Sequence, residues 1–152
     1  MNAPITEMTG ETALMLRRTF NADLSTLWPA LTDPKAWLGW FGGGHATPIE
    51  SAADLRPGGA WFVEFRGNES GNIFRVSGEF VSIEPETGLS FTWGWSFGEG
   101  HVSQVSYRLS PVGDDRTTLT LNHERLPTSE ARDQHGRGWT ASIDRLDTYL
   151  GG

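Results

Sequence analysis

Residues 129–150 read SEARDQHGRGWTASIDRLDTYL, and the fold depends on what this stretch covers. Ala131, His135, Trp139, Ile143, Leu146 and Leu150 recur every three or four positions, the period of one helical face. Thr128 or Ser129 can cap its start, and Gly151 and Gly152 end it. At 1.5 Å per residue such a helix runs roughly 33 Å, enough to cross a whole sheet. Gly136 and Gly138 interrupt its propensity by up to about 1 kcal/mol each relative to alanine. A glycine is better tolerated there if a side chain would obstruct something.

The sheet lies upstream. From Gly42-Gly43-Gly44 to Glu124 the chain consists of short runs separated by turn chemistry. Arg56-Pro57-Gly58-Gly59 fits a type II turn, with Pro57 second and Gly58 third, where φ must be positive. Trp61, Val63 and Phe65 then alternate with Glu64 and Arg66, and Phe74 and Val76 with Arg75 and Ser77. Gly78, followed by apolar residues on both parities up to Ile83, predicts a bulge or bend. Leu89, Phe91, Trp93 and Trp95 form the next row, then Val105, Tyr107 and Leu109, then Leu119, Leu121 and His123. Consecutive strands joined by short turns, polar on one face only, predict an antiparallel meander. The terminal helix is its cover.

Ahead of the meander, residues 1–11 are polar and aperiodic and read as a flexible tail. Leu14, Leu16 and Arg18 alternate with Met15, Arg17 and Thr19 as a first strand ending at Phe20. A short helix follows, with Leu24, Leu27, Trp28 and Leu31 on one stripe and Asp23 or Ser25 at its start; Pro29 removes an interior amide. Asp33-Pro34 opens a second helix carrying Trp37, Leu38, Trp40 and Phe41. The expectation is one α+β domain over residues 12–150: a strand, two short helices, a six-strand antiparallel meander and a long C-terminal helix packed across the curved sheet.

The 152 residues hold no cysteine, seven tryptophans and a formal charge of -7. The missing cysteines exclude disulfides, thiolate metal sites and cysteine nucleophiles, and fit a cytoplasmic setting. No run approaches the roughly 18 apolar residues of a membrane span, and no stable membrane insertion is expected. An acidic balance without basic blocks argues against nucleic acid as a partner. His45, His101, His123 and His135 show no ligand spacing, so no metal and no cofactor is expected. Gly98-Glu99-Gly100 and Gly42-Gly43-Gly44 read as turns rather than phosphate loops, since neither opens a helix. No serine sits in a strand-to-helix elbow.

An ordered set of motifs carries a resemblance. These are Trp28 to Leu31 with Thr32-Asp33-Pro34, Trp40-Phe41, Asp54-Leu55-Arg56-Pro57-Gly58-Gly59, Phe91-Thr92-Trp93, Leu119-Thr120-Leu121-Asn122-His123, and Gly138-Trp139 with Leu146. Across residues 12–150 the chain resembles the START/SRPBCC (birch-pollen-allergen-like) superfamily, in the branch named after the activator of heat-shock-protein ATPase. Pro29 and Gly136 depart from the family pattern. The resemblance implies a helix-grip fold around a deep, mostly apolar cavity. Superfamily members bind lipids, hormones or polyketides, and some catalyse cyclisation. The cochaperones behind the branch name carry a separate chaperone-binding domain, for which this chain has no room.

The candidate lining follows from inward parity: Trp61, Val63, Phe65, Phe74, Val76, Phe91, Trp93, Trp95, Val105, Tyr107, Leu121 and His123 on the sheet, and His135, Trp139 and Ile143 on the helix. Trp37, Trp40 and Phe41 are expected near a mouth, and Trp28 is a further ligand-binding candidate. The same side chains would equally make a core. Tyr107, His123 and His135 are candidate polar contacts, and the two histidines are the only candidates for acid–base work. The leading expectation is non-enzymatic binding of a small hydrophobic or aromatic molecule. A cavity enzyme of cyclase, dehydratase or hydrolase type and a cochaperone-like interaction module are the alternatives, and a homodimer is left open.

Overall fold

The computed structural model describes residues 5–42, 44–98 and 100–152. In chain order they form β1 (Ile5–Gly10), β2 (Ala13–Phe20), α1 (Leu24–Thr32), α2 (Pro34–Trp37), β3 (Ala46–Ala53), β4 (Ala60–Gly67), β5 (Ile73–Glu84), β6 (Gly88–Trp95), β7 (Val102–Val112), β8 (Arg116–Glu124) and α3 (Ser129–Tyr149). The strands make one antiparallel sheet in the order β1-β2-β8-β7-β6-β5-β4-β3, so β3 to β8 are the expected meander and β2 joins its last strand. Leu14 faces His123 and Leu16 faces Leu121 across that join. With α3 laid on the concave side, this is the helix-grip α+β fold.

Residues 5–10 correct the expected tail. They form β1, pairing with β2 from Ile5 opposite Arg17 to Met8 opposite Leu14. Five of these six residues are exposed, so backbone hydrogen bonds hold the strand without any apolar period to announce it. Residues 1–4 lie outside the described residues.

The helical connection resolves two sequence ambiguities. Asp23 caps α1, its Oδ1 accepting from the Thr26 amide at 2.9 Å, so Pro29 does sit inside the helix. The second helix is shorter than expected and stops at Trp37. Beyond it the amides of Gly39 and Trp40 return to Ala36 and Trp37, three residues back, a tightening typical of helix ends. Two indoles then satisfy carbonyls at the end of α1: Trp37 Nε1 donates to Leu31 O at 3.0 Å and Trp40 Nε1 to Ala30 O at 2.9 Å.

The core is the inward parity of the meander against α3. Trp61, Val63, Phe65, Val76, Phe91, Trp93, Val105, Tyr107, Leu119 and Leu121 are buried, as are Trp139, Ile143 and Leu146 of α3. Each such side chain contributes roughly 1.5–3 kcal/mol, which outweighs the ion pairs at the helix rim. The expected irregularity in β5 falls between Phe80 and Ser82, where the register to β6 shifts.

Gly78 lies opposite Trp61. With no side chain in the way, the Trp61 indole reaches over β5, donating to Thr92 O on β6 at 3.2 Å, and its ring meets Trp93 at 5.7 Å. A Cβ on Gly78 would lie 2.0 Å from that same carbonyl oxygen. Gly78→Ala is therefore expected to destabilise the protein by about 1–3 kcal/mol, read as a drop in thermal midpoint of about 2–4 °C per kcal/mol. An unchanged midpoint would contradict this packing.

Candidate functional site

Helix α3 comes closest to the sheet at β2 and β1. Gly136 permits the approach: a Cβ there would meet Met8 Cε at 3.3 Å and Leu14 Cδ2 at 3.8 Å. Further along, Arg18 of β2, its side chain only 9% exposed, pairs with Asp144 at 2.5 Å and Asp147 at 3.0 Å. The helix is thus drawn to one side of the sheet. Over β4 and β6 it stands off, leaving a pocket of about 370 Å³, toward the small end of the 300–1,000 Å³ usual for ligand sites.

Aromatic rings make its walls. Phe41, Phe65, Trp93, Trp95 and Phe97 face it from the α2–β3 connection and the sheet, and Trp139 from α3. Phe97, 56% exposed, stacks on Trp95 at 5.2 Å and forms an outer lip. Ala131, Gln134, His135, Gly138 and Ser142 give the helix side, and Leu126 and Pro127 the segment leading into it. A Cβ on Gly138 would meet nothing within 4 Å, so this glycine keeps the helix wall thin. Gly42, at φ +120, closes one end, its amide and carbonyl both bonded to Ser142 Oγ at 3.1 Å.

Two hydrogen bonds cross between sheet and helix in opposite directions. Trp139 Nε1 of α3 donates to His123 Nδ1 of β8 at 3.0 Å, and Trp95 Nε1 of β6 donates to His135 Nε2 of α3 at 3.0 Å. An indole N–H can only donate, so both accepting nitrogens carry lone pairs. His123 therefore holds its proton on Nε2, which faces Ser103 Oγ at 2.7 Å, and Ser103 passes its own proton toward Trp93 O at 3.3 Å. His135 holds its proton on Nδ1, 2.7 Å from Ala131 O. Burial lowers the pKa of both imidazoles. The neighbouring His135 pushes His123 down further, while the Ala131 carbonyl partly offsets the shift of His135. The two rings, 5.0 Å apart, are neutral with every nitrogen engaged.

The structure divides the sequence candidates. Phe41, Phe65, Trp93, Trp95, His135 and Trp139 line the pocket. Trp37, Trp61, Phe91 and Tyr107 instead surround a separate inner cavity of about 10 Å³. Trp28, Trp40, Val63, Phe74, Val76, Val105, Leu121, His123 and Ile143 line neither: Trp28 and Phe74 are half-buried against the core and the rest are buried within it. Trp37 and Trp40 are not at a mouth; their indoles hold the end of α1. Phe74 backs the wall, stacking on Phe65 at 5.4 Å. Sequence reasoning missed Gln134, Gly138 and Ser142, although 131, 134, 135, 138, 139 and 142 run along one edge of the predicted stripe. Phe97, His101, Leu126 and Pro127 sit between regular elements and had no periodic signal. Among the described residues no group of three or more His, Asp or Glu could hold a metal, and no helix is long and apolar enough to cross a membrane.

A concave sheet gripping a terminal helix over an aromatic pocket defines a helix-grip protein. The family model described as "Activator of Hsp90 ATPase homolog 1-like protein" matches residues 21–151, and the chain belongs to that family. An AHSA1 protein from Silicibacter pomeroyi is 30% identical with a TM-score of 0.80, over 91% of this chain and 97% of the other. A Rhodobacter sphaeroides protein is 25% identical at a TM-score of 0.83, over 98% of both. CalU16 from Micromonospora echinospora is 30% identical at 0.70, over 99% of this chain and 83% of its own. A comparison with curated proteins finds no match.

The neutral imidazoles carry a pH consequence. Their folded pKa values lie below the unfolded value of about 6.5, so as pH falls past 6.5 the unfolded chain binds more protons and stability declines. Between pH 7.5 and 5.5 each histidine should contribute a slope of up to about 1.4 kcal/mol per pH unit. Denaturation midpoints should fall over that window, and the His123→Gln/His135→Gln variant should flatten the profile. An equally steep profile in that variant would refute the assignment.

Proposed function

We propose that this protein binds an uncharged hydrophobic or aromatic small molecule in the pocket between α3 and strands β4 and β6, and does not transform it. The observation that carries this reading is a ring-walled pocket whose described lining contains no Lys, Arg, Asp or Glu. A charged group buried there would lack a partner and lose several kcal/mol of hydration, whereas flat apolar surfaces would stack on the Trp and Phe walls. Membership of a family built on a ligand-binding scaffold supports the reading, and the cysteine-free chain fits a cytoplasmic setting.

The histidines argue against catalysis. A general base needs a lone pair within reach of the substrate proton, but the lone pairs of His123 and His135 are taken by indoles, and His101 Nε2 is engaged with Arg125 O. An interaction module would call for exposed Trp37, Trp40 or Phe41, and all three are buried.

Titration with uncharged aromatics and with lipids, followed by tryptophan fluorescence and thermal shift, is the test. Saturable quenching is expected, with stabilisation approaching about 2.7 kcal/mol at a hundredfold excess over Kd. Gly138→Leu should fill the pocket and weaken binding at least about tenfold while stabilising the helix by up to about 1 kcal/mol. No saturable binding in any class, or full affinity in Gly138→Leu, would overturn the proposal.

A further inference from the structure

Phe41 belongs to both spaces. One side of its ring faces the open pocket, and the residue also lines the inner cavity with Trp37, Trp61, Phe91 and Tyr107. That cavity has room for about one water, and Phe41 is the residue its lining shares with the outer pocket. Phe41 directly precedes Gly42, whose φ of +120 only glycine adopts readily. The peptide at that junction is fastened to α3 through Ser142. A rotation of the Phe41 side chain therefore needs no change in the sheet.

Tyr107 brings the one side-chain hydroxyl to the described lining of the inner cavity. The indole N–H groups of Trp37 and Trp61 are already bonded to Leu31 O and Thr92 O. Tyr107 is 4% exposed, and burial, with no hydrogen bond beside it, is what acts on its hydroxyl. Burial alone pushes its phenol well above the ordinary range, so the group stays neutral and can donate to a carbonyl or accept from a hydroxyl. Tyr107 lies 5.3 Å from Phe91 and 6.4 Å from Trp139, which itself walls the outer pocket.

We infer that the binding site extends past the open pocket, with Phe41 as a displaceable partition and the Tyr107 hydroxyl as the anchor at its inner end. This rests on the binding reading above and narrows the ligand class: an elongated, uncharged, largely aromatic molecule with one hydroxyl or carbonyl at its leading end. A short ring system fills the outer pocket alone. A longer one swings Phe41 aside and exchanges its contacts with Trp37 and Trp93 for the ligand's own.

Three uncharged probes test it: naphthalene, trans-stilbene and 4-hydroxystilbene, each titrated by tryptophan fluorescence. The intact protein should bind 4-hydroxystilbene roughly fivefold more tightly than stilbene, the worth of one neutral hydrogen bond. Tyr107→Phe should erase that preference and keep a thermal midpoint at or above that of the parent. Phe41→Ala should raise the ratio of stilbene to naphthalene affinity at least about threefold. If naphthalene binds saturably but Tyr107→Phe keeps the hydroxyl preference, or Phe41→Ala leaves the ratio unchanged, the extended site is wrong and the pocket reading stands. A lowered midpoint in Tyr107→Phe would equally count against an unpaired hydroxyl. If none of the three probes binds, the extended site falls, and the pocket reading falls with it only if the lipids of the wider titration also fail to bind.

Discussion

Two indole N–H groups donating to two imidazoles, one from helix to sheet and one from sheet to helix, are the contacts on which the rest of this structure depends. Trp139 reaches His123 on β8, and Trp95 reaches back to His135 on α3. Each bond contributes only about 1 kcal/mol net, but a broken one would leave a buried polar group unpaired at about 1–3 kcal/mol. They set the separation of α3 from the sheet on the side where the helix stands off. Arg18 and Gly136 set it on the other side, where the helix closes down. The pocket is the space between these two conditions. The hydrogen bonds that hold its walls also occupy the lone pairs of His123 and His135.

Much of the fold was legible because its elements have periods. The inward parity of β4 to β8, the stripe of α3 and the Arg56-Pro57-Gly58-Gly59 turn all follow from side-chain alternation and glycine chemistry, and Gly58 does adopt φ +83. The strand β1 was not legible, because an exposed edge strand held by its backbone leaves no mark in side-chain hydrophobicity. Pro29 inside α1 contradicted local propensity and was overridden by the Asp23 cap and by the two tryptophans bonded to the helix end.

The site was legible in part. Inward parity named the walls and the core alike, since Val63 and Phe65 share a strand face while only Phe65 reaches the pocket. Which residues stand clear of α3 depends on where the helix sits across the sheet, a tertiary quantity that no window of sequence contains. His123 and His135 illustrate the point: both lie on apolar faces, and only the register of their indole partners separates a packed ring from a wall. Family membership fixes the scaffold but not the cargo. The family's name describes a chaperone activator, whereas the walls of this chain's pocket are mostly aromatic rings.

The two imidazoles are neutral, in opposite tautomers, with their lone pairs held by tryptophan. Long-range ¹H–¹⁵N correlation spectra of the imidazole nitrogens at pH 7 test it directly. A proton is expected on Nε2 of His123 and on Nδ1 of His135, with both indole N–H resonances of Trp95 and Trp139 shifted by hydrogen bonding. An imidazolium at either position, or the opposite tautomer, would contradict it.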